Sequence, residues 1–510
     1  MDWELVAKLR TEVAARLETE RARSAGENSA GPAGLAGLSE ADERALAASL
    51  VAAQVEQWAV SQVMAGSAPP DRDTERALAA AVTAALFGLG RLEGLLARPD
   101  VENVHIHGAD RVVLELADGR METAEPVAAS DGELIDLLTG WAARAGQTGR
   151  EFSPAHPLLN LRLPAGGPLG SRLAAVMEVT GRPTVAIRRH RLASVTLDDL
   201  LSLGTVTSAL HGFLRAAVRA GLNIVVSGAP AAGKTTLLRA LAAEIPAHEH
   251  VVTVEEEYEL GLHVTDASTP DPHPAGRRPS DARGPRLNGG SAGRLVTAME
   301  ARQANAEGVG AIGLHTLLAQ ALRHSPARVL VGEVRGGEVT ALLAALSNGA
   351  AGGMCSLHAR SAQAVLTRIA QLAQLSDPPL PAEAAWRFTA DAVDLIVHVD
   401  RDTGRGVGPP GQTGVGTAVL PASRGGRFVS AVVEVGPVGD GGMPDTTTVF
   451  APDETGEHGP VGRAVPAYTP SVRLRNRLAR AGFPIHQPDP AASGALPEAR
   501  SGSLSGGVPR

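Results

Sequence analysis

One run of residues, Gly228-Ala229-Pro230-Ala231-Ala232-Gly233-Lys234-Thr235, with Thr236 behind it, carries the most specific chemistry in this chain. It fits the pattern Gly-x4-Gly-Lys-Ser/Thr in full, the spacing of a loop that cradles phosphates. Glycines at the two fixed positions let the backbone turn its N–H groups inward. A helix starting behind the second glycine adds a partial positive charge at the same point. Lys234 offers a point charge to β- and γ-phosphates, and the Thr235 hydroxyl offers a ligand to Mg²⁺. Of the 47 basic residues only Lys8 and Lys234 are lysines. A chain that otherwise uses arginine keeps a lysine where a flat, forked guanidinium does not suit.

Three further groups stand at the ends of strand-like runs. Residues 328–333 form an apolar run closing on Glu333, which suits support of Mg²⁺ or of an attacking water. Residues 254–260 set Glu255, Glu256 and Glu259 beyond the carboxyl end of a strand, where parallel sheets bind ligands. Glu257, in the same run, reads as a solvated acid. His358 follows the strand-like residues 354–357; a lone histidine is more often structural, and both readings stand. A zinc site is excluded, because one cysteine and scattered histidines offer no ligand spacing.

The elements that must position these groups follow from the apolar pattern. Residues 1–70 read as helical, with helices over 4–23 and 40–64 around a Gly/Ala/Ser break at 26–37. Residues 71–191 read as a mixed domain: a helix to about 96, strands over 101–107 and 111–115, and strands over 172–177 and 184–188. Residues 192–207 read as a linker. From 208 to 465, strands at 223–227, 250–255, 328–333, 354–357 and 395–399 alternate with helices such as 235–244 and 338–347. That alternation predicts an α/β fold with a mainly parallel sheet covered on both faces. Residues 466–510 read as a C-terminal helix and a tail, Pro/Ala/Ser/Gly-rich over 487–510. The stretches 268–293 and 403–416 read as flexible surface loops.

Composition limits the function classes. With 510 residues the chain is long enough for two or three domains. A net charge of −8 and 3% aromatics argue against a nucleic-acid partner. A nucleic-acid translocase or helicase on the same kind of core is the alternative reading. A module that holds ATP without hydrolysing it is a third. ATP is expected over GTP, because no Asn-Lys-x-Asp guanine-reading motif is present. The single cysteine, Cys355, precludes an intrachain disulfide and suggests a reducing compartment. The first residues lack the basic start and apolar stretch of a signal peptide, and no run of about 18 apolar residues occurs, so a cytoplasmic protein is expected.

Taken together, these phrases resemble the type II/type IV secretion ATPase superfamily. The likeness is carried by residues 222–238 (the Walker A loop), 251–260, 329–338 (VLVGEVRGGE), 88–93 (GLGRLE), 101–113 and 393–399. It is similar above all to the CpaF/TadA branch, which serves Flp/Tad pili and conjugation-type machines, and it spans roughly 75–400. The resemblance implies a PAS-like domain before a RecA-like ATPase domain, and a homo-hexamer that hydrolyses ATP with Mg²⁺. It also implies an inner-membrane platform protein as partner, holding the chain at the inner face of the membrane. It assigns Glu255 to water activation and Glu333 to the Walker B position. It offers Arg172, Arg188, Arg189 and Arg302 as arginines that reach phosphate. Three departures stand out: Glu256 replaces the usual Asp of the Asp box, Ala350 replaces the first histidine of the His box and leaves His358, and 268–293 looks inserted.

Overall fold

Residues 2–27, 40–144, 151–167, 170–189, 195–263, 294–305, 307–347, 351–402, 426–454 and 461–483 are described by a computed structural model. The stretches 268–293, 403–416 and 487–510, and Ala350, lie outside these described residues.

Three helices come first: α1 (Trp3–Glu27), α2 (Glu40–Met64) and α3 (Arg72–Phe87). Apolar residues three or four apart, Val6, Leu9 and Val13 on α1 and Leu78 and Val82 on α3, meet Val51 and Val55 of α2 in a small core. Asp71 caps α3 by accepting from the Thr74 amide at 2.6 Å.

A short helix α4 (Leu92–Ala97) leads into β1 (Val101–His107), β2 (Arg111–Leu116), β3 (Met121–Ala124), α5 (Asp131–Arg144), β4 (Leu158–Leu163), β5 (Ser171–Val176) and β6 (Thr184–Arg189). Among the described residues these six strands form an antiparallel sheet in the order β3-β2-β1-β6-β5-β4. Alternation decides its faces. Val104, Ile106, Val112, Leu114, Leu159, Leu161, Leu173 and Ile187 bury one face against α5 and α4. The opposite face carries a row in register: Arg162 faces Arg172, Arg172 faces Arg188, Arg188 faces Asn103, and Asn103 faces Glu115.

The larger unit runs α6 (Leu197–Ser202), α7 (Ser208–Arg219), β7 (Ile224–Gly228), α8 (Lys234–Ala243), β8 (Val251–Glu255), β9 (Val296–Glu300), α9 (Leu314–Ala321), β10 (Arg328–Val334), α10 (Val339–Ser347), β11 (Met354–His358), α11 (Ala364–Ala373), α12 (Ala382–Ala392), β12 (Leu395–Arg401), β13 (Arg427–Val438), β14 (Pro444–Pro452), β15 (Ala464–Pro466) and α13 (Val472–Arg480). Its strands lie in the order β15-β14-β13-β12-β7-β11-β10-β8-β9. The six from β12 to β9 pair in parallel, and β12 to β15 pair antiparallel.

The central strands are mostly apolar on both faces because both faces are covered. Ile224 and Val226 of β7 join Leu210, Phe213, Leu237 and Leu241 on one side. Val225, between them, joins Leu342, Leu343, Val365 and Ile369 on the other. The stretch 192–207 differs from its reading as a linker: α6 lies within it. Thr196 and Asp199 form a reciprocal capping box, and Leu197 and Leu200 bury beside α7 and α8. A six-residue helix is too short to show a period in sequence. No helix among the described residues is long and apolar enough to cross a membrane.

Candidate functional site

β7 delivers the chain to Gly228, and α8 starts at Lys234. Between them the backbone turns through two left-handed residues, Ala231 at φ 58° and Gly233 at φ 99°. β7 lies so close to β12 that a Cβ on Gly228 would sit 2.3 Å from the Val399 carbonyl oxygen. Gly228→Ala is therefore expected to destabilise the protein by on the order of 3 kcal/mol, through forced backbone movement. Gly94, which has open space around it, is the control: Gly94→Ala leaves the melting midpoint unchanged or raises it.

Lys234 is 7% exposed, and its Nζ donates to the Ala229 carbonyl at 3.0 Å. Parallel pairing sets His358 of β11 beside Gly228 of β7, and His358 Nδ1 lies 3.0 Å from Lys234 Nζ. An ammonium only donates, so Nδ1 accepts from Lys234. The same nitrogen lies 3.3 Å from the Gly228 carbonyl oxygen, which draws it toward the protonated form. Nε2 in turn lies 2.5 Å from Glu333 Oε1, and Arg335 Nη2 donates to Glu333 Oε2 at 2.5 Å. Lys234 thus bonds to His358, whose ring lies against Glu333, and Glu333 in turn is held by Arg335. Burial, opposed by Glu333, pulls the Lys234 ammonium down to about 8. Burial and then the Lys234 charge hold His358 below the ordinary histidine range.

The acids at the end of β8 divide into distinct jobs. Glu255, 1% exposed, accepts from the Glu259 and Leu260 amides at 2.8 and 2.7 Å and folds the turn back over its strand. Its Oε1 is buried without a hydrogen-bond partner, and burial raises the carboxyl to about 7. Gly332 on β10 makes room for it: a Cβ there would lie 3.2 Å from Glu255 Cγ. Glu259 is the acid that touches the loop, accepting from Thr235 Oγ1 at 3.2 Å. Glu256 is exposed. Glu257 is not the solvated acid its sequence context suggests, because Arg172 Nε meets it at 3.0 Å. The first sheet supplies that partner, and a local reading has no access to it.

The arginine row of the first sheet faces this turn. Arg172 holds Glu257, and the Arg162 guanidinium lies 5.0 Å from the Tyr258 ring centre and 3.9 Å from Glu300. Burial lowers both Lys234 and Arg239, and the Arg188 charge adds a smaller push in the same direction. Arg189, one residue on and on the other face, donates to the Arg98 and Val101 carbonyls inside its own sheet. Arg302 donates to the Gly310 carbonyl at 2.6 Å and closes the loop before α9. The hydrogen bonds described for Arg189 and Arg302 do not reach the group around Lys234. Arg162 was missed in sequence; the alternating run Leu159, Leu161, Leu163 around it is the signal that reveals its strand.

The residues fit a nucleotide and Mg²⁺. Gly228 lies where no Cβ is accommodated, Gly233 is left-handed at a helix start, and a buried ammonium sits within the loop. Among the described residues no three His, Cys, Asp or Glu side chains converge as a metal cage. Thr235, Glu259 and Glu333 offer a few oxygens near the loop, which suits an ion that keeps waters and takes phosphate ligands.

Residues 109–398 match the family described as type II/IV secretion system protein, and the chain belongs to that family. A Mycobacterium tuberculosis protein named for conjugal transfer is 32% identical over 321 residues, covering 62% of this chain and 81% of the relative. The type IV secretion system protein PtlH of Bordetella pertussis is 30% identical over 346 residues, covering 63% and 91%. Among solved structures, the Brucella suis VirB11 ATPase in complex with sulphate is 25% identical, with coverage of 69% and 96% and a TM-score of 0.30. The pilus retraction motor PilT with bound ADP is 14% identical, with coverage of 61% and 76% and a TM-score of 0.41.

Proposed function

We propose that this chain is an ATP-hydrolysing motor subunit of a conjugation, secretion or Tad-pilus machine, working as a homo-hexamer against an inner-membrane platform protein. In this reading residues 208–465 are a RecA-like ATPase domain and 71–191 a PAS-like domain. Residues 1–70 form the helical region before them, 192–207 the connection, and 466–510 the C-terminal helix and tail. The protein works at the cytoplasmic face of the membrane through its partner, with no nucleic acid involved.

The observation that carries this reading is the buried ammonium of Lys234, inside a complete phosphate loop and linked through His358 to Glu333. ATP phosphates would lie on the loop 228–236, where every residue but Pro230 offers a backbone N–H. Lys234 trades His358 Nδ1 for a phosphate oxygen, since one ammonium position serves either acceptor. Thr235 and Glu333, with Glu259 beside them, hold Mg²⁺, which neutralises phosphate charge when bound. Glu255 orients the attacking water. Arg172 and Arg188, with Arg162, approach from the first sheet, so that phosphate release loosens the contact between the two sheets and moves them. His358, freed from Lys234, reports the change to Glu333 and Arg335.

The test is ATP turnover by purified protein with and without Mg²⁺, together with mass in solution. Mg²⁺-dependent turnover by a six-fold assembly, indifferent to DNA, is expected. Turnover that needs DNA and collapses with salt identifies a translocase instead. Binding without turnover identifies a subunit that holds ATP as a switch.

A further inference from the structure

Arg427, at the start of β13, touches the phosphate loop from the side opposite Lys234's partners. Its Nε donates to the Ala231 carbonyl at 3.1 Å, and its Nη2 donates to Glu102 Oε1 at 3.3 Å. Its stem lies over the start of α8, where a Cβ on Gly233 would meet Arg427 Cδ at 3.0 Å. Glu102 belongs to β1 of the first sheet. The pairing of β1 with β2 slips between Val101 and Asn103, so Glu102 is the extra residue of a bulge, a device that re-aims a side chain. Arg427 falls outside the 109–398 stretch that matches the family, so the motifs that carry the family likeness do not by themselves supply this contact.

We infer that Glu102 and Arg427 form a latch that shapes the loop for phosphate and ties the first sheet to it, with Arg427 as a positioning residue. The inference rests on the nucleotide reading of the loop. A trans peptide is planar, with its C=O and N–H pointing in opposite directions. Holding the Ala231 carbonyl outward on Arg427 therefore aims the Ala232 amide inward. That amide makes a long 3.3 Å contact to the Ala229 carbonyl, the same oxygen that Lys234 Nζ takes. A contact of that length is readily exchanged for a phosphate oxygen. Ala231 sits in the left-handed region, which disfavours any residue with a Cβ, so its orientation needs an external hold. The half-exposed ion pair contributes little by charge alone. Its value is geometric, because two nitrogens of one planar guanidinium reach the carbonyl and the carboxylate from fixed, separate positions, which the single nitrogen of an ammonium does not reproduce.

The experiment measures ADP affinity, melting temperature and amide hydrogen exchange of residues 229–237 in full-length variants. Arg427→Ala is expected to weaken ADP binding about tenfold, and Glu102→Gln about threefold. The double variant is expected to be no weaker than Arg427→Ala, because Glu102 acts only through Arg427. Arg427→Lys, which keeps the charge and guards against a folding defect, should fall nearer to Ala than to wild type. Without nucleotide, exchange over 229–237 should rise in Arg427→Ala. Unchanged exchange, wild-type ADP affinity in Arg427→Ala, or additive losses in the double variant would overturn the latch. Failure of the wild-type protein to bind ADP overturns the nucleotide reading and the phosphate role with it, whereas the exchange result judges the structural latch separately.

Discussion

Lys234→Ala is expected to lower ATP turnover by about a hundredfold or more while the protein stays folded. The size follows from where the ammonium sits. A charge that meets phosphate in a partly water-excluded loop is worth far more than the same charge in water, and deleting one such group typically removes about 3 kcal/mol of transition-state stabilisation. Stability should not fall in parallel. Burial already works against this ammonium, pulling it down to about 8, so its removal relieves a desolvation penalty. Among the described residues its hydrogen bonds are to one carbonyl and one ring nitrogen. His358 provides an internal report, because the Lys234 charge is the second cause, after burial, of its lowered pKa. In the variant, the histidine resonance should titrate at higher pH than in wild type. Retained hydrolysis by Lys234→Ala would remove the loop from the mechanism. Lost hydrolysis with a large drop in melting temperature would mean that folding, not chemistry, had been hit.

The parts legible in sequence are those written in short range. The loop is contiguous, and the strands β7, β8, β10, β11 and β12 fall within a residue or two of the apolar runs that announce them. What could not be read is what long-range pairing creates. His358 meets Lys234 across 124 residues, only because β11 inserts beside β7 in the sheet. Arg162 joins Arg172 and Arg188 because three strands fall into register, and β4 is not among the strands expected from sequence. β9 was missed because it pairs in parallel with β8 far along the chain, and β13 to β15 because they extend the sheet antiparallel, breaking the strand–helix alternation. The family likeness supplied Glu255 as a water-activating acid. The structure adds that this acid also pins the turn bearing Glu259, which no motif states.

Under the proposed role of Glu255 in orienting water, stability and rate should depend on pH in opposite directions. Burial raises the Glu255 carboxyl from 4.5 to about 7, so the fold favours the neutral acid. The stabilisation is fully present below the unfolded value and is lost as pH rises through the folded one. From pH 4.5 to 7 the nucleotide-free protein should thus lose about 3 kcal/mol from this group and change little above. Turnover moves the other way, because a residue that orients and deprotonates water must be the carboxylate. The rate should rise through about pH 7. Glu255→Gln separates the two effects. The amide oxygen still accepts from the Glu259 and Leu260 amides, so the turn holds, but the ionisation is gone. Expected are a loss of turnover of about a hundredfold or more, and a melting temperature that no longer declines between pH 5 and 7. A variant that hydrolyses ATP normally would move water activation to another acid, with Glu259 the nearest to Thr235. A stability profile as steep as that of wild type would mean that some other buried group carries the titration.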